Sequence, residues 1–299
     1  MSWQYSDEYY KNYTRETWDE CADRYIPLAQ QLAQFHKALL DVVRPIPGDK
    51  VLDVCTGLGE PAMTIASIVA PVGHVIGVDL SSKMTQIARK NAAKRRLQNI
   101  EFMTMDAESL QFPANTFDAA VSCFGFQIVT NPKTAAKEIL RVLKPGGRAG
   151  FTVWSTGDRA PGLDVVIGPM MEHATPDEDG YLPSPYELGG RDELVQMLTE
   201  IGFRDPTETR IVRNWVAGSV EDYLSMLLDG SPLGHSLSEE TEEVRKIVRK
   251  ESTDNISRYK TTTDVSIPVE CVIVSASKPN GRMRALRPSN QAEQRTFAN

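Results

Sequence analysis

Three carboxylates and a glycine-rich turn carry the first chemical signal in this chain. Asp53, Asp79 and Asp106 each close a short apolar run, in VLDVC, HVIGVD and IEFMTMD, and Asp53-Val-Cys-Thr56-Gly57-Leu58-Gly59 continues from the first of them. A carboxylate accepts paired hydrogen bonds from vicinal hydroxyls or from an amino group. Glycines let the backbone bend under a ligand where a Cβ would intrude. Asp79, with Leu80 after it, then suits a ribose, Asp106 with Ala107 an adenine amino group, and Asp53 an ammonium. Met84 stands one turn into the next helical stretch, where its thioether suits the face of a purine.

Gly57-x-Gly59-x-x-Ala62 alone also fits a dinucleotide fingerprint, with Asp79 about twenty residues further on. Charge separates the two ligands. A pyrophosphate would sit on the helix N-terminus, and Glu60 stands there with a like charge. A nucleoside cofactor with an ammonium and no phosphate meets no such repulsion. The competing role for Asp53 and Glu60 is helix capping, since acids are favoured near helix starts in any protein.

These residues need a scaffold that brings strand ends together, and the chain alternates accordingly. VLDVC, HVIGVD, IEFMTMD, FDAAVSC and GRAGFTVW read as strands, interleaved with PAMTIASIVA, SKMTQIARKNAAKRR and PKTAAKEILRVL as helices. Such βαβ units imply right-handed crossovers and a doubly wound α/β sheet, whose ligand crevice lies outside the carboxyl ends of its strands. Residues 1–45, rich in aromatics and then helical in period, are expected to form a helical lid, and 46–155 the cofactor-binding core. Residues 156–277 are expected to supply a substrate cap, starting with the loose stretch GDRAPGLDVVIGPM, and the last strands of the same sheet. Helical stretches are expected at 219–229 and 238–251, and a disordered tail at 278–299.

In order, VLDVCTGLGEPA, VIGVDLSSKM, MDAESLQFP, FDAAVSCFGFQIVT and RVLKPGGR, between residues 51 and 148, resemble the ubiquinone/menaquinone C-methyltransferase group of class I S-adenosylmethionine-dependent enzymes. The resemblance implies S-adenosylmethionine as cofactor and a seven-stranded, mostly parallel sheet whose final strand is antiparallel. It also implies cofactor contacts at Leu58, Asp79, Asp106, Ala107 and Cys123. Two positions depart from the group, which carries an Arg and an Asn where Gln127 and Ile128 stand. The cofactor site is carried over and the quinone substrate is not.

Methyl transfer from a sulfonium is an in-line displacement, so the protein chiefly aligns donor and acceptor and excludes water. No metal is required. Aromatic faces favour a cationic donor, which brings forward Tyr25, Phe124 and Trp154; Tyr25, Gln127 and Trp154 are the candidates for the acceptor side. A phenol, enol or thiol acceptor would benefit from a base. His173 is the candidate, whereas His36 on an apolar helical face and His74 at a strand start read as structural. The apolar residues of the lid and cap regions, Trp3, Trp18, Leu163, Met170 and Leu224 among them, favour a small, fairly apolar acceptor.

Composition narrows the field further. The net charge of −7 argues against a nucleic-acid partner. The most apolar stretch, 62–80, is interrupted by Pro71, Gly73 and His74, so no membrane span is expected, and cytoplasmic residence is the default. The four cysteines form no CxxC pair and read as free thiols; a homodimer is compatible with all of this. Two rival functions remain open at this point, an NAD-dependent oxidoreductase and a non-catalytic S-adenosylmethionine-binding module.

Overall fold

The computed structural model describes residues 7–173 and 184–280. Two helices come first, α1 (Asp7–Cys21) and α2 (Ile26–Val43). A regular alternation follows: β1 (Lys50–Val54), α3 (Ala62–Val69), β2 (His74–Asp79), α4 (Ser82–Lys94) and β3 (Ile100–Thr104). It continues through β4 (Phe117–Cys123), α5 (Pro132–Val142), β5 (Leu143–Trp154), α6 (Pro161–His173) and α7 (Glu193–Ile201). The chain then passes through β6 (Arg204–Ala217), α8 (Val220–Leu228), α9 (Leu233–Glu239) and α10 (Glu242–Ser257) to β7 (Val265–Ser277).

The seven strands form one sheet in the order β3-β2-β1-β4-β5-β7-β6. β1 pairs in parallel with β2 and with β4, as do β2 with β3 and β4 with β5. β7 runs antiparallel to both β5 and β6. This is the mostly parallel, doubly wound sheet that the alternation and the resemblance imply. The strand order reverses between β1 and β4, so their carboxyl ends open the crevice where such sheets take ligands.

One apolar cluster covers each face of the sheet. On one side α2 presents Leu28, Leu32, Phe35, Leu39 and Val43, all buried, at helical spacing. α2 is thus a layer of the core, and α1, docked on α4 by Asp19, is the segment that stands over the strand ends. On the other face Ala135, Ala136, Ile139 and Val142 of α5 pack with Leu194 and Leu198 of α7.

Three stretches differ from what local pattern suggests. The Gly/Pro-rich run after Trp154 contains α6, with Pro161 at its first position, where the missing N–H costs nothing. Burial of Leu163, Val165, Val166 and Ile167 outweighs the poor propensity of Gly162, Gly168 and Pro169. The helix expected at 238–251 is divided, because Thr241 leaves the helical path and caps α10 by accepting from the Val244 N–H at 3.3 Å. Lys278, expected in a disordered tail, is fixed: its Nζ donates to the Leu143 carbonyl at 2.7 Å, the Arg141 carbonyl at 3.0 Å and Asn115 Oδ1 at 2.9 Å. The rest of that tail, from 281 on, and Trp3 lie outside the described residues. Among the described residues no helix is long and apolar enough to cross a membrane.

Candidate functional site

At the carboxyl ends of β1, β2 and β4 lies a cavity with about 770 Å³ of empty space, part of it open to solvent. Its floor is the turn after β1. Cys55, Gly57 and Gly59 all have positive φ, at 59°, 52° and 101°. An added Cβ at Gly59 would lie 3.0 Å from the Phe102 ring and 3.2 Å from Ala88, so this glycine lets the turn sink against α4 and β3.

Asp79 closes β2 and organises the floor: its Oδ2 accepts from the Gly57 N–H at 2.8 Å and its Oδ1 from the Ser81 N–H at 2.9 Å. Burial pushes its carboxyl up to about 6, against the opposing pull of those two hydrogen bonds. Asp106 stands beyond β3, with Oδ1 accepting from the Glu108 N–H at 2.8 Å and Oδ2 from Lys11 Nζ at 2.8 Å. Leu80, Met84, Ala107, Cys123 and Phe124 complete the wall with Tyr25, whose ring covers Gly57. Burial pushes the Cys55 and Cys123 thiols and the Tyr25 phenol well up, so all three keep their protons.

Other residues singled out in the sequence lie outside the cavity lining. Asp53 is fully buried behind the turn, where Oδ2 accepts from Thr56 Oγ1 at 2.7 Å and Oδ1 has no partner. Burial pushes its carboxyl up to about 7, partly offset by the Thr56 hydrogen bond. Leu58 gives its carbonyl to Asn91 Nδ2. Gln127 accepts from the Trp154 N–H at 3.0 Å, and Trp154 stacks on Phe124 with centroids 3.7 Å apart. His173 belongs to α6, where Nε2 meets Glu251 Oε2 of α10 at 3.0 Å. Glu60 turns from the ligand side: Oε2 accepts from Thr64 and Oε1 pairs with Arg95, so it caps α3 and its charge is matched. Its repulsion of a diphosphate therefore carries little weight.

The cavity also has a roof that the motifs did not disclose. Lys11, Thr14, Arg15 and Trp18 line it from α1. Their i, i+3, i+4, i+7 spacing marks one helical face and is a signal that could have found them. Ile128, Val129 and Thr130 close the side after β4.

A methyltransferase domain family model matches residues 51–147, the span from β1 into the turn within β5. The demethylmenaquinone methyltransferase of Geobacillus sp. (strain WCH70) is 31% identical over 168 residues, which are 53% of this chain and 72% of that protein. The chain belongs to the class I S-adenosylmethionine-dependent methyltransferases, in the UbiE-like group. A second relative in that group is the ubiquinone/menaquinone biosynthesis C-methyltransferase UbiE of Ectopseudomonas mendocina (strain ymp). It is 41% identical over 103 residues, 34% of this methyltransferase and 40% of that one. Among solved structures, the YcgJ protein of Bacillus subtilis superposes with a TM-score of 0.54 at 19% identity, covering 85% of this chain and all of that one, a likeness of fold. The methyltransferase accordingly uses S-adenosylmethionine to methylate a small molecule, and no finding supports the oxidoreductase or non-catalytic alternatives.

Proposed function

We propose that the cavity between the strand ends and α1 is the methyl-transfer site, with a small, largely apolar acceptor meeting the cofactor at its sulfur- and aromatic-lined end. The observation that carries this is the segregation of its wall. Asp79 and Asp106 follow β2 and β3 on one side of the crevice, whereas Cys123, Phe124, Ile128 and Val129 follow β4 on the other. The residues present fit S-adenosylmethionine. Asp79 retains lone pairs for ribose hydroxyls, Asp106 for the adenine amino group, and the unpartnered Oδ1 of buried Asp53 suits the charge of an ammonium.

When bound, the cofactor supplies a methyl group on a positively charged sulfur. The chain's own part is to align and to exclude water. Tyr25 and Phe124 offer aromatic faces to a cation. Because Tyr25, Cys55 and Cys123 are held protonated, they serve as wall and hydrogen-bond donors and not as bases. Gln127 and Trp154 act on the acceptor side through Phe124, which Trp154 backs. We read the protein as cytoplasmic, consistent with its charge and with the demethylmenaquinone and quinone enzymes among its relatives.

Calorimetric titration tests the site. The chain should bind S-adenosylmethionine and not NAD, and Asp79→Ala should weaken that binding by about ten- to a hundredfold while the thermal transition persists. Unchanged affinity would remove Asp79 from the site. Labelled cofactor offered with demethylmenaquinone and with a metabolite extract then identifies the acceptor by the mass of the product.

A further inference from the structure

Lys11 stands on α1, far along the chain from the two acids that hold it. Its Nζ lies 2.8 Å from Asp106 Oδ2 and 2.9 Å from Glu108 Oε2. The Glu108 side chain is only 6% exposed, and its other oxygen accepts from the Asn131 N–H at 2.8 Å. Two carboxylates two residues apart would repel each other without a shared cation. Partial burial pulls the Lys11 ammonium's pKa down, but the hydrogen bonds to Asp106 and Glu108 leave it raised, so the bridge persists across the neutral range.

The geometry leaves Asp106 able to act. Each of its oxygens has one partner, the Glu108 N–H or Lys11. An ionised carboxylate offers roughly four acceptor positions, so lone pairs remain. The two existing bonds set the carboxylate plane without using it up. α1 is otherwise tied to α4 by Asp19, which accepts from Ser81 Oγ and from the Lys83 N–H at 3.0 Å, and the turn after it by Asp23, which pairs with Lys83 at 3.0 Å.

We propose that Lys11 is a positioning residue for adenine recognition: by bridging Asp106 and Glu108 it orients the Asp106 carboxylate toward the 6-amino group and closes α1 over it. This rests on the cofactor reading above. It makes the roof of the cavity part of base selection, so that α1 closes correctly only over a purine whose six-substituent donates a hydrogen bond.

The test compares S-adenosylhomocysteine with S-inosylhomocysteine, which has an oxygen in place of the amino group, by calorimetric titration of the full chain. Wild type should prefer the adenosyl compound by about tenfold or more, the scale of one charge-assisted hydrogen bond. Lys11→Met should lose most of that preference, and Lys11→Arg should keep it. A merely structural lid contact would weaken both ligands equally in Lys11→Met, and that result overturns the proposal. If wild type binds S-adenosylhomocysteine yet does not discriminate, Asp106 does not read the base and the proposal falls with that assignment. If wild type binds neither ligand, the cofactor reading of the cavity fails first.

Discussion

Two buried carboxylates, one on each side of Trp154, are treated in opposite ways. Glu270 of β7 is 8% exposed and fully engaged: Ser155 Oγ donates to it at 2.8 Å, Arg210 at 3.3 Å and Arg159 at 3.4 Å. Asp53 of β1 is 0% exposed, is hydrogen-bonded by neutral donors, Thr56 Oγ1 and the Ala62 N–H, and keeps Oδ1 with no partner. Burying a charge without a cation is costly, and burying one with two arginines is a structural device. The second half of the sheet therefore spends its charges on holding β5, β6 and β7 together. The first half leaves one uncompensated beside a ligand cavity, and a cationic ligand would relieve it.

The largest expected effect lies on the compensated side. Arg210 donates to Glu208 and to the Gly190 carbonyl as well as to buried Glu270, so Arg210→Met strips partners from three groups at once. The loss should be about 3 kcal/mol of unfolding free energy, measured by denaturant titration, with most of it recovered in the Arg210→Met, Glu270→Gln double variant. Cofactor affinity should not change in the surviving folded fraction. A coupled loss of affinity would erase the contrast between the two regions.

On the uncompensated side the effect is smaller and depends on pH. The folded-state carboxyl of Asp53, at about 7, lies above its ordinary value of 3.8. Between those limits the native chain therefore binds more protons than the unfolded one, and stability falls as pH rises. Asp79, at about 6, adds a narrower component of the same sign. Asp53→Asn should remove the part of the slope above pH 6, on the order of 1–2 kcal/mol in thermal or denaturant melts at pH 6 and pH 8. Saturating S-adenosylmethionine should flatten the wild-type slope in the same range. A slope left undiminished in Asp53→Asn would assign it to Asp79 or another group and take Asp53 out of the account.

The same contrast explains what could be read from the residues. Asp79 and Asp106 are legible because an acid that closes an apolar strand must emerge at the carboxyl edge, whichever helices surround it. The parallel order of β1 to β5 follows from alternation for the same local reason. Glu60 misleads because a carboxylate at a helix start serves a cap and a ligand through the same position, and only the Arg95 and Thr64 contacts separate them. α6 is hidden by Gly162, Gly168 and Pro169, whose propensity is overruled by burial against β7, α8 and α10, elements far away in the chain. Lys11 is hidden likewise: its meaning depends on acids 95 residues and more away. Local chemistry announces itself, and contacts that close over long loops do not.

The smallest effect probes the floor of the cavity. Cys55 holds φ at 59°, in the left-handed region, which costs a residue with a Cβ about 1–2 kcal/mol. Its side chain also constrains a neighbour: a Cβ on Gly125 would collide with the Cys55 Cβ and lie 2.8 Å from its Sγ. Cys55→Gly relieves the backbone, but it adds freedom to the unfolded chain and removes the thiol's packing, roughly 0.5–1 kcal/mol from the first of these alone. The net change in stability should therefore be under about 1 kcal/mol, with the cavity widened beside Gly57. Gly125→Ala should cost more stability alone than in combination with Cys55→Gly, a coupling that a double-mutant cycle reads directly. If the two substitutions simply add, the Cys55 side chain does not set the shape of this floor, and the room at Gly125 answers to another neighbour, the Ser122 hydroxyl 3.2 Å from the same point.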